Sequence, residues 1–195
     1  LGIELLGIQQ AHRSQQHAGL LGFLEQLVPM VGSLAVGAEL VVPAAWHRDG
    51  PAFLLVLHRA DEGSFNVALC NWSQGLDRHP SRLSPATGGL QRTPAIDLRG
   101  VARERLIDSG FWFALFRMLF IPQSQPTGPP LVYDALLPAL TACPVLSHAA
   151  STPAPAHRWH DAPLSGDLSH ASLALAALES MLCARGMSPA QAAYA

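Results

Sequence analysis

Apolar positions change period along this chain, and the changes mark its elements. Residues 17–31, "HAGLLGFLEQLVPMV", place Leu20, Leu24, Leu27 and Val28 at helical spacing and predict a buried helix. Gly32 and Gly37 break that pattern. "AELVVPA", 38–44, is a short β-rich run that Pro43 is expected to stop. "AFLLVLHR", 52–59, is an almost continuous apolar strand, "ADEGS" supplies a turn, and "SFNVALCN" alternates, with Phe65, Val67 and Leu69 on one face. Residues 52–71 therefore predict a β-hairpin. Residues 72–94, rich in Ser, Pro and Gly, read as a loop, and "PAIDLRG", 94–100, as a third strand.

Helical spacing returns in the second half. Residues 108–120 predict a helix with Asp108 or Ser109 as its cap, and "LVYDALLPAL", 131–140, a second with Pro130 near its start. "LSHASLALAALESMLCARG", 168–186, repeats Leu168, Leu175, Leu178 and Leu182 at helical spacing before Gly186. Residues 123–130 and 143–163 are Pro-rich and irregular. Helices bracketing a meander of strands predict an α+β domain with a small antiparallel sheet. The chain, 1–195, reads as a single domain. It begins within apolar sequence, and "SPAQ", 188–191, opens a helix near its end, so a piece of a longer protein is expected.

Composition narrows the function classes. Apolar residues make up 49% and charged residues 13%, which argues against disorder. The net charge of −2 and the lack of any long basic run give no electrostatic ground for nucleic acid or an anionic membrane. The longest apolar run, "GFWFALFRMLFI", 110–121, contains Arg117 and is too short to span a bilayer. Cys70, Cys143 and Cys183 form no CxxC, so neither a disulfide framework nor a zinc ribbon is indicated, and an intracellular, cytoplasmic compartment is expected.

Four short motifs carry a resemblance. One strand opens "DGPAFLLVL" and the next closes "VALCNWSQG"; later comes the helix start "LSGDLSHASLALAAL", and upstream lies the turn "LVVPAAW". Their order resembles papain-like cysteine peptidases, in a deubiquitinase-like group whose His–Asn hairpin precedes the Cys helix. The resemblance covers roughly residues 38–80 and 158–186. It implies a papain-like fold in which Pro51 stands at the His position, Asn71 at the Asn position and Leu168 at the Cys position. Proline cannot act as a base, and leucine cannot act as a nucleophile. What the resemblance then implies is a degenerate, non-catalytic module for protein binding or scaffolding. Its partners would be a ubiquitin-like protein or a peptide tail, together with flanking domains of the same polypeptide. Trp46, Trp72, Ser165 and Gly166 would line its cleft.

The residues alone offer other chemistry. An active hydrolase with relocated groups would use Ser169 as nucleophile and His47 as base, with His58 a poorer base at the far end of its strand. Cys70 and Cys183 read as packed small apolar side chains. "HRWHD", 157–161, offers His157, His160 and Asp161, with His148 and His170 nearby, but an irregular Pro-rich segment does not align metal ligands. No metal and no cofactor is expected. A third reading is a purely structural domain of a larger assembly. Asn71 itself suits the end of a strand, because its side chain can bond its own backbone.

Overall fold

The computed structural model describes residues 2–46, 51–71, 73–119, 128–142 and 160–161, with side chains described from His17 to Ala142 within those ranges. A long helix α1 (Gly2–Gly32) leads into strand β1 (Glu39–Ala45), β2 (Ala52–Arg59) and β3 (Ser64–Cys70). A 3₁₀ turn (Leu76–Arg78) and the short strands β4 (Ser81–Leu83) and β5 (Leu90–Arg92) precede β6 (Ala95–Ala102). Helices α2 (Arg103–Leu106) and α3 (Ser109–Arg117) follow. Next comes a helical stretch made of α4 (Pro129–Leu131), a π turn (Val132–Leu136) and α5 (Leu137–Thr141), and last the strand β7 (His160–Asp161).

The main sheet is an antiparallel meander in the order β1-β2-β3-β6, and a second sheet has the order β4-β5-β7. Helices and a small antiparallel sheet make this an α+β fold, and the expected hairpin at 52–71 is β2–β3, paired from Leu54↔Cys70 to Arg59↔Phe65. One face of the main sheet, with Phe53, Leu55, Leu57, Phe65, Val67, Leu69, Ile96 and Leu98, shares one apolar core with the helices. From α1 come Leu20, Leu24, Leu27 and Val31; from α3, Trp112 and Leu115. The opposite face carries a smaller buried cluster of Val56, Ala68, Cys70 and Ala95.

Pro43 does not stop β1; it lies inside the strand, opposite Leu54. The ladder explains why. Arg59 donates its N–H to Ala38 O at 3.0 Å and Trp46 donates to Pro51 O at 3.4 Å, so even-numbered residues of β1 bond to β2. Odd-numbered residues turn their backbone groups out of the sheet. Pro43 sits where a missing N–H costs no ladder bond, on an edge strand.

Residues 73–94 of the expected loop are more ordered than a loop. Their strands β4 and β5 have three residues each and no apolar alternation, so no period announces them. The turn from Ser84 to Gly89 fixes their register: Ser84 N–H donates to Gly89 O at 2.7 Å and Gly88 N–H to Ser84 O at 2.9 Å. Helix α3 begins where expected, with Asp108 Oδ1 accepting from Gly110 N–H at 2.8 Å. In the stretch 129–141 the backbone widens to a π turn, as Leu137 N–H reaches back to Val132 O. The widening stands just before Pro138, which has no N–H to continue an ordinary ladder.

No helix among the described residues is long and apolar enough to cross a membrane. The predicted helix 168–186 lies outside the described residues. So do 143–159 and most of the Pro-rich stretch 123–130.

Candidate functional site

Asn71 follows the last residue of β3 and is fully buried, at 0% exposure. Its backbone N–H donates to Pro94 O at 2.8 Å, which ties the end of β3 to the start of β6. Its Oδ1 accepts from both the Ser73 N–H and the Ser73 hydroxyl, each at 2.9 Å. Its Nδ2 donates to Gln74 O at 2.8 Å and to Tyr133 Oη at 3.1 Å. A carboxamide offers two acceptor sites and two N–H donors, and all four are engaged. The local turn explains part of this, because Asn bonds the backbone two residues on. The bond to Tyr133 adds a long-range tie.

Tyr133 continues a chain of bonds. His79 Nδ1 lies 2.7 Å from Thr93 O, and its Nε2 lies 2.6 Å from Tyr133 Oη. A carbonyl only accepts, so Nδ1 carries the proton and Nε2 accepts from the Tyr133 hydroxyl. The direction is therefore fixed as Asn71 to Tyr133 to His79 to Thr93. Burial drives the His79 pKa down to about 4, with Arg92 adding to the effect and the Thr93 carbonyl and Asp77 opposing it. Burial also raises the Tyr133 pKa. Both groups are neutral at neutral pH, as the bonding pattern requires.

Aromatic rings close the site. Trp46 stacks on Phe53 with centroids 4.2 Å apart, and the Tyr133 ring lies 5.9 Å from Trp46, tilted by 28°. Trp46 Nε1 donates to Ser73 Oγ at 3.3 Å, joining the ring to the Asn71 turn. Gly75 sits at φ 85°, and a Cβ there would fall 2.7 Å from the Tyr133 ring and 2.9 Å from Pro129. The turn backbone thus packs directly on the helical stretch, which only glycine allows. Arg78 of the 3₁₀ turn pairs with Asp134 on the outer side.

Pro51 immediately precedes β2 and Asn71 immediately follows β3, at the same end of the pair. Continuing the register from Leu54↔Cys70 sets Asn71 opposite Phe53 and puts Pro51 on the same face. Pro51 O accepts from Trp46 N–H. Trp46 is 1% exposed and part of the core, not an open cleft wall. His58 lies at the other end of β2, between Glu39 and Asn66 on the sheet's second face, remote from Asn71 in the ladder. Cys70 is buried in the second-face cluster. His47, Trp72, Ser165, Gly166, Leu168 and Ser169 lie outside the described residues, as do Cys143, Cys183, His148, His157 and His170. Among the described residues, no group of three or more His, Cys, Asp or Glu side chains could hold a metal ion.

Three buried polar residues escaped the sequence reading. His79, in "DRHPS", has the look of an exposed loop residue. Tyr133 sits in an apolar helix; the usable signal was that a buried tyrosine seeks a partner for its hydroxyl. Arg59, at the end of an apolar strand, reads as a solvated terminus, yet it is 6% exposed. Its Nε donates to Asp61 O, its Nη1 to Gly32 O and Leu34 O, and its Nη2 to Glu62 O and Glu62 Oε2.

Comparison with family models, with curated proteins and with solved structures finds no match to this chain. The papain-like resemblance stands on the quoted motifs alone.

Proposed function

We propose that this α+β domain is a catalytically inactive, papain-like module of the deubiquitinase-like type. On this reading it binds a protein partner, a ubiquitin-like protein or a peptide tail, and works beside flanking domains in an intracellular setting. One observation carries the non-catalytic part. Asn71 and Pro51 lie at the same end and on the same face of the β2–β3 pair, and the Asn71 carboxamide has all four hydrogen-bonding positions engaged. A catalytic Asn must keep an acceptor for an imidazole N–H. Here both acceptor sites serve Ser73, and a proline, which has no titratable group, stands at the His position.

The test has two arms. Ubiquitin carrying a C-terminal fluorogenic amide is incubated with the protein, and ¹⁵N-labelled ubiquitin is titrated with it. The expected outcome is no turnover above buffer and saturable shifts of ubiquitin resonances. Turnover that disappears in His47→Ala or Ser169→Ala would replace this reading with an active hydrolase. Unshifted resonances across ubiquitin and its small-protein relatives would remove the ubiquitin-like partner.

A further inference from the structure

The chain of bonds from Asn71 to Thr93 has one consistent direction, and that direction depends on an unprotonated nitrogen. His79 Nε2 is the acceptor for the Tyr133 hydroxyl. A proton placed there turns the acceptor into a donor. Tyr133 Oη would then face N–H groups from both His79 and Asn71, and its own hydrogen would lose its acceptor. Flipping the Asn71 carboxamide does not cure the conflict. It would point an NH₂ group at the Ser73 N–H and take the acceptor from the Ser73 hydroxyl. The conflict is enclosed, because His79 is 2% exposed.

We propose that His79 is a proton-sensitive latch, whose protonation on Nε2 breaks the bond chain at Tyr133 and releases residues 129–141 from the turn that follows β3. The latch joins three segments distant in sequence: the turn at 71–79, Thr93 before β6, and the helical stretch. That stretch already departs from regular α geometry at Tyr133, in the π turn. Charged and titratable groups around the imidazole come from each side. Asp77 of the 3₁₀ turn and Arg92 of β5 act on it, Tyr133 of the π turn bonds it, and Arg78 and Asp134 lie on the same 3₁₀ turn and π turn. Arg92 opposes a proton on His79 and Asp77 favours it. Arg78 and Asp134 pair with each other and form another polar tie across the same junction, but on the exposed side, where such a pair holds weakly. Release would uncover the Tyr133 side of Trp46, so acid would open the core at the Asn71 end of the sheet. The proposal concerns the chain alone and does not rest on the binding role above.

Amide hydrogen exchange of the whole chain, corrected for intrinsic rates, tests it between pH 7 and pH 4. Peptides covering 128–142 are compared with peptides covering 57–66, at the opposite end of the hairpin. Protection of 128–142 is expected to fall by about tenfold or more below pH 6.5 while 57–66 keeps its protection. In His79→Gln the pH dependence of that loss should vanish. Simultaneous loss in both regions, or full protection of 128–142 down to pH 4, would overturn the proposal, as would an unchanged pH profile in His79→Gln. Should that variant fail to fold, ¹⁵N imidazole resonances of the wild type decide: while 128–142 is closed the His79 Nε2 must stay unprotonated well below pH 6.5, and an imidazole that takes its second proton near pH 6.5 with 128–142 still protected rejects the latch.

Discussion

At one end of the β2–β3 hairpin a guanidinium with a permanent charge gathers four backbone carbonyls and one carboxylate. At the other end three neutral side chains pass hydrogen bonds in a single direction. Arg59 and Asn71 are each buried with every side-chain hydrogen-bonding position engaged, but by different means. Arg59 has five N–H donors, and all five are used. Two of its acceptors, Gly32 O and Leu34 O, lie at the C-terminal end of α1, where carbonyls lack helical partners and a cation is favoured. Arg103 adds a further bond to Gly32 O at 2.9 Å. The Asn71 end has no such freedom, because its imidazole must accept and its hydroxyl must donate. The first arrangement holds at any pH at which proteins fold. The second holds only while His79 is neutral.

The strongest way to break this comparison is to remove the charged end. In Arg59→Met the apolar volume is roughly kept, but every bond to the four carbonyls is lost, along with the guanidinium that sits 5.6 Å from the Phe65 ring centre. Destabilisation of about 4 kcal/mol is expected, since buried acceptors lose charge-assisted partners. Urea unfolding followed by circular dichroism measures it. A loss below about 1 kcal/mol would mean that water replaces the guanidinium, and that this end is no more than a solvated turn.

A smaller effect separates the two ends by pH. The His79 pKa is held near 4 in the folded state against 6.5 for a free imidazole, so the unfolded chain binds the proton more tightly. Stability is then greatest above pH 6.5 and falls as pH drops toward 4. Between pH 6.5 and 5, above the carboxylate range, the fall is about 1.5 kcal/mol. Unfolding curves at stepped pH test this, and Arg59→Met should show the same slope as the wild type. A flat profile over that window would mean that the imidazole is not held neutral by its surroundings.

Much of this architecture was legible because burial imposes a period. Phe65, Val67 and Leu69 announced β3, and Leu20, Leu24 and Leu27 announced the core face of α1. Asp108 announced the start of α3. The strands β4 and β5 were not legible, since a three-residue strand such as Ser81–Leu83 has no room for a pattern. Pro43 misled because its cost depends on which side of a strand faces the ladder, and that is a property of the sheet. Asn71 was visible as a strand end, but Tyr133, His79 and Thr93 come together only through long-range packing. Arg59 escaped for the same reason, as its main partners belong to the end of a helix more than twenty residues upstream.

The smallest predicted effect sharpens what holds the Arg59 end. Glu62 forms the ion pair of that end, Arg59 Nη2 to Glu62 Oε2 at 3.1 Å, and a first glance would credit the pair. The glutamate side chain, however, is 91% exposed. Its charge is screened by water, and a solvated carboxylate gains little from a fixed partner. The Glu62 backbone carbonyl, which accepts from the same Nη2 at 2.8 Å, stays in place when the side chain is cut back. Asp61 also shapes the turn independently, with Oδ1 accepting from Gly63 N–H and Oδ2 from the Ser64 hydroxyl. The Ser64 bond is the main cause of the lowered Asp61 pKa. Glu62→Ala is therefore expected to change stability by no more than about 0.5 kcal/mol, in low or high salt. A salt-dependent loss several times larger would transfer the stabilisation from the carbonyls to the ion pair, and the contrast between the two ends would then be one of charge pairing rather than of backbone capture.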